Sequence, residues 1–102
     1  MKLVIVTVVN QYHKEVLGLF KKANIESFSE ASIEGFINIP SNVSNSSWFP
    51  IEKSGSKSRL FFSFTEEEEI ETLFQLLSEF NSKLESNNPL RAVVIPIEKH
   101  LI

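Results

Sequence analysis

A four-stranded antiparallel sheet with two helices on one face, in the order βαββαβ, is the fold class that three observations in this 102-residue sequence predict. Four segments (residues 3–9, 29–39, 59–64 and 92–97) are β-branched apolar runs or alternate with a period of two. Two others, residues 10–24 and 65–84, repeat their apolar positions at helical spacing. Each helix lies between two strands, and with right-handed crossovers that order folds as a single α+β domain of ferredoxin-like type over 1–102.

Leu3 to Val9 is apolar on both faces apart from Thr7, as expected of a central strand covered on both sides. Asn10 is positioned to cap a helix in which Tyr12, Val16, Leu19, Phe20 and Ala23 share a face. Asn24 suits the left-handed position that ends it. From Ser29, Ala31, Ile33, Gly35, Ile37 and Ile39 alternate with Glu30, Ser32, Glu34, Phe36 and Asn38 as a second strand closed by Pro40. Arg59–Phe64 forms the third strand, with Leu60, Phe62 and Phe64 on one face. Thr65 and Glu68 have the spacing of a capping box, and Ile70, Leu73, Phe74, Leu77, Phe80 and Leu84 make a stripe over four turns of helix. The run Ser86-Asn-Asn-Pro89 stops that helix. Ala92–Ile97 is the last strand, and Pro96, which cannot donate to a ladder, puts it at an edge.

Composition narrows the function. With 42% hydrophobic residues, nine phenylalanines and no cysteine, the chain can bury a core without disulfides, and thiolate catalysis and thiolate metal sites are excluded. A net charge of −3 leaves no electrostatic footprint for nucleic acid or an anionic membrane surface. No apolar run approaches the ~20 residues of a membrane span, and a cytoplasmic protein is expected. None of the phosphate-loop, dinucleotide, zinc-protease or serine-nucleophile motifs occurs, so no enzyme is expected. Glu66–Glu69 point in four directions around a helix and read as a solvated first turn favoured by the helix dipole. Glu98 and His100, two apart on an extended segment, are candidate ligands for a divalent cation with help from His13, although two ligands make no site unless an oligomer supplies more.

The connection at about 40–58, SNVSNSSWFPIEKSGSKS over its last eighteen residues, is far longer than a hairpin needs. It holds the only tryptophan, Trp48, beside Phe49, and aromatic pairs of this kind anchor interfaces. Lys53, Lys57 and Arg59 give its end a basic character that could meet an anion. An edge strand and a sheet apolar on both faces need a cover besides two helices, which predicts self-association.

The element order, the run ANIESFSEASIEGF leading into the long loop, and the closing AVVIPIEKHLI resemble the PII-like signalling proteins over nearly the whole chain. In that family the second strand ends in Gly-Phe-Gly and opens a long T-loop. Gly35 and Phe36 match its first two positions, while Ile37 replaces the second glycine and Ile39 a T-loop glutamine. The last strand resembles Val94–His100. PII proteins are trimers that bind ATP or ADP between subunits, through a glycine-rich B-loop and terminal arginines. Here Asn87-Asn88-Pro89-Leu90-Arg91 stands in the B-loop place, only Arg91 matches, and one terminal arginine position falls on Ile102. The loop has no tyrosine to modify.

The resemblance implies a homotrimer with a degenerate nucleotide site, and a small-molecule effector bound near Gly35, Phe36, Ile37 and Arg91. It further implies docking of a partner protein, such as a membrane transporter, through Asn42–Lys57, with Trp48, Phe49, Lys53 and Lys57 in the docking loop. The related CutA proteins, associated with divalent-cation tolerance, share fold and trimeric habit. A tryptophan before their third strand is similar to Trp48, but their cysteine is missing here.

Overall fold

The structure, a computed structural model, describes residues 1–35, 56–84 and 88–101. Strand β1 (Lys2–Val9) leads through a 3-10 turn (Asn10–Tyr12) into helix α1 (His13–Lys22). Then come β2 (Ser29–Gly35), β3 (Ser56–Thr65), helix α2 (Glu67–Lys83) and β4 (Arg91–Pro96). The strands form one antiparallel sheet in the order β2-β3-β1-β4. The βαββαβ order and the central β1 are therefore as the pattern predicts, with the proline-bearing β4 at one edge and β2 at the other.

Alternation along β1 divides the sheet into two faces. Val4, Val6 and Val8 turn to the helices and lose all solvent contact, together with Phe61 of β3, which pairs with Val6. Val16 and Phe20 of α1 and Leu73 and Leu77 of α2 complete this core. Each such side chain contributes about 1.5–3 kcal/mol by leaving water, so this layer outweighs every surface contact in the molecule. The rings of Phe20, Phe28 and Phe61 fill its centre with centroids 4.7–6.2 Å apart.

The other face is largely apolar and, among the described residues, carries no helix. The register aligns Ile95, Leu3 and Phe64 in one row, Val93, Ile5 and Phe62 in the next, and Arg91, Thr7 and Leu60 beyond, where the face turns polar. Phe64 is 58% exposed and Ile95 41%, with Met1 and Leu101 exposed beside them. This is the face on which the sequence places Leu60, Phe62 and Phe64.

Helix ends differ in part from the sequence reading. Asn24 does take a left-handed conformation (φ 62°). Its N–H donates to the Lys21 carbonyl at 3.0 Å and that of Ile25 to the Phe20 carbonyl at 3.1 Å, the paired bonds of a Schellman ending. At the start of α1, Asn10 opens the 3-10 turn instead of capping the α-helix, whose N-cap is Tyr12 without a side-chain bond. The Asn10 side chain is engaged elsewhere, its Oδ1 accepting from Arg59 Nε at 2.9 Å. The Thr65–Glu68 capping box is also absent, because Thr65 stays in the ladder opposite Lys2 and the helix begins one residue later with Glu66 as an uncapped N-cap. Two cations meet that start instead: the N-terminal amine lies 3.4 Å from Glu66 and Lys2 Nζ lies 2.7 Å from Glu67.

Candidate functional site

Antiparallel pairing brings the C-terminal ends of β1 and β2 and the starts of β3 and β4 to one end of the sheet. The long connection leaves β2 after Gly35 and returns at Ser56, which faces Gly35 across the ladder. A cleft of about 400 Å³ opens at its base, lined by Asn10, Ser32, Ile33, Glu34, Lys57, Ser58 and Arg59.

The polar side chains of that region come from four elements, and the register explains the meeting of those on the two strands. Glu30, Ser32 and Glu34 project from the helix face of β2 beside Phe61, Arg59 and Lys57 of β3. The 3-10 turn and the first residue of α1 add Asn10 and His13. Glu30 is the hub: its Oε2 lies 2.7 Å from His13 Nε2, hydrogen-bond distance once that nitrogen carries its proton, and 3.8 Å from the Arg59 guanidinium. The His13 ring lies over Phe61 with centroids 6.0 Å apart. Arg59 thereby ties the edge strand to the turn after β1, its Nε on Asn10 and its NH1 near Glu30. Half-exposed pairs of this kind contribute at most about 1 kcal/mol each, so the cluster positions side chains more than it stabilises the fold.

The residues expected at an effector site are only partly brought together. Gly35, Lys57 and Arg59 gather at the cleft or its rim, whereas Phe36, Ile37, Trp48, Phe49 and Lys53 lie outside the described residues. Arg91 starts β4 at the same end of the sheet but on the opposite edge, pairing with Thr7. Three strand spacings and four residues of rise separate it from Gly35, roughly 20 Å, so one chain cannot close both on a single ligand. His13 is likewise parted from Glu98 and His100. It follows the far end of β1, whereas His100 lines an apolar notch with Met1, Phe64 and Leu101 at the near end. Among the described residues no group of three metal-ligating side chains assembles.

Sequence reasoning missed one positioning residue. Asn81, on the last turn of α2, donates from Nδ2 to the Leu90 carbonyl at 2.9 Å and accepts the Leu90 N–H on Oδ1 at 2.8 Å. The side-chain amide imitates a neighbouring strand and fixes the chain where it enters β4, one residue before Arg91. A polar residue adjoining an apolar helical stripe was the available signal. Its partner nine residues on was not.

Solved structures share this fold. A DUF3240 family protein from Shewanella baltica superposes with a TM-score of 0.67 at 15% identity, over 99% of this chain and 93% of the other. A Thermus thermophilus protein, classed provisionally as a PII-like signalling protein, superposes with a TM-score of 0.57 at 19% identity, over 91% of this chain and 80% of its own. Identities this low speak for the fold alone, the ferredoxin-like βαββαβ arrangement that both share with this chain. No protein-family model matches the sequence, and no curated protein matches it. Among the described residues no helix is long and apolar enough to cross a membrane.

Proposed function

We propose that the chain is a PII-like regulatory protein and not an enzyme: a cytoplasmic homotrimer that docks a partner protein through Asn42–Lys57 and takes an effector at the base of that segment. The observation that carries this reading is the sheet face of Leu3, Ile5, Phe62, Phe64, Val93 and Ile95, apolar across three strands and without a helix over it among the described residues. Monomers seldom leave so continuous an apolar surface in water, and a second copy of the same chain supplies a matching one.

The separation of Gly35 from Arg91 supports the same arrangement. They stand at opposite edges of one sheet, and a head-to-tail ring brings the β2 edge of one copy towards the β4 edge of the next. An effector between protomers then contacts both, and its binding is linked to assembly. The resemblance adds a membrane transporter as the class of partner, with Trp48 and Phe49 as the anchors that meet it.

Trp48 is the only tryptophan, so its fluorescence reports the docking segment without ambiguity. A docking anchor must be reachable in the free protein. Acrylamide should quench it nearly as well as free indole, and a partner or effector should reduce that quenching. A Trp48 already protected in the free trimer contradicts docking and leaves the segment a structural part of the assembly.

A further inference from the structure

From the charges that line the cleft at the base of the long connection, we infer that it is a site for a small zwitterion, in the first instance a free α-amino acid. The inference rests on reading the loop base as the effector site and names the chemistry of the effector. Its volume of about 400 Å³ lies at the small end of the range for ligand pockets, roughly 300–1,000 Å³.

The lining carries both signs of charge in a fixed order. Lys57 and Arg59, two residues apart on β3, project from the same face about 7 Å from each other. Glu34 pairs in register with Lys57, which places their Cβ atoms about 5 Å apart. Yet Glu34 and Lys57 make no ion pair within 4.0 Å among the described residues. The charge at Glu30 is already engaged by His13 and by Arg59. A cationic and an anionic side chain therefore flank the opening side by side, with no ion pair to either among the described residues, and Ser32 and the Asn10 amide add neutral hydrogen-bonding groups to the lining.

Other small ligands fit this lining less well. A polyphosphate meets the Glu34 carboxylate in the lining and that of Glu30 behind Arg59, and among the described residues no glycine-rich backbone lines the cleft to offer a nest of amides. A divalent cation meets Lys57 and Arg59 and finds too few oxygen ligands. A molecule holding a carboxylate and an ammonium two bonds apart satisfies both signs at once: the carboxylate towards Lys57 and the outer edge of Arg59, the ammonium towards Glu34.

The test is a nitrogen-15 amide-shift titration of the intact chain with each of the twenty free α-amino acids, alongside the N-acetyl derivative and methyl ester of any that binds. The expected result is saturable shifts at Ser32, Glu34, Lys57 and Arg59 for at least one free amino acid. Each blocked derivative should bind at least about fivefold more weakly, as should the Glu34→Gln and Lys57→Met variants, a ratio set by losing one partly exposed ion pair. Failure of all twenty to shift these amides overturns the inference, as does N-acetyl binding equal to that of the free amino acid, which marks an anion site. Sedimentation of the same samples separates this outcome from the regulatory reading. A trimer that binds no amino acid refutes the zwitterion site alone, and a monomer whose amino-acid binding needs Glu34 refutes the assembly alone.

Discussion

Phe61 and Phe62 are neighbours on one strand whose side chains leave it in opposite directions, and replacing each in turn measures what each sheet face is for. Phe61 is fully buried and touches the rings of Phe20, Phe28 and His13. Truncation to alanine leaves a cavity between sheet and helices, and changes of this kind cost about 3–5 kcal/mol. A domain of this length has a total stability of about 5–15 kcal/mol, so Phe61→Ala removes about a fifth of it or more. With a urea dependence of about 1.5 kcal/mol per molar, the unfolding midpoint falls by roughly 2–3 M. Phe62 packs edge-on against Phe64 on the open face, with centroids 6.3 Å apart. Phe62→Ala, measured in protein dilute enough to dissociate, should cost less than half as much, because a concentration-dependent contribution from association is then absent. The assay is urea unfolding followed by far-ultraviolet circular dichroism at two protein concentrations. A Phe61→Ala midpoint within 1 M of the parent, or equal losses for both variants in the dilute sample, refutes the division of the sheet into a core face and an association face.

Three further outcomes follow from particular contacts. Asn24→Ala places an ordinary side chain at φ 62° and should destabilise by about 1 kcal/mol, while Asn24→Gly stays within about 0.5 kcal/mol of the parent; both are read as unfolding midpoints. Asn81→Ala leaves the N–H and C=O of buried Leu90 without their side-chain partner, and should cost about 1–3 kcal/mol and speed amide exchange at Leu90 in hydrogen-exchange measurements. Calorimetry with ATP should give no low-micromolar binding, since Arg91 alone cannot replace a glycine-rich cradle; tight binding lost in Arg91→Ala would contradict this and make Arg91 a phosphate contact.

The fold was legible because its signals are local and repeated. The run from Leu3 to Val9, the stripe from Ile70 to Phe80 and the terminal Pro96 each state a period or a prohibition that tertiary context had no reason to override. Asn24 was legible for the same reason, since a helix that ends in a left-handed residue needs asparagine or glycine there. The helix starts were not, because capping is a competition. Asn10 had a second suitor in Arg59, 49 positions along the sequence, and Thr65 was held in the sheet by Lys2. The candidate site was legible only in outline. Gly35 and Arg91 share one end of the sheet, but the strand order that sets them at opposite edges belongs to the topology, and the Glu30 hub depends on pairings no spacing announces.

Sedimentation equilibrium of the parent chain and of Phe62→Ser/Phe64→Ser tests most directly whether the open sheet face is an interface between copies. At micromolar concentration the parent should give three chains of 11.6 kDa, about 35 kDa, and the double variant should give the mass of one chain with its circular dichroism intact. A parent protein that sediments as a single 11.6 kDa chain, or a double variant that remains trimeric, contradicts the account.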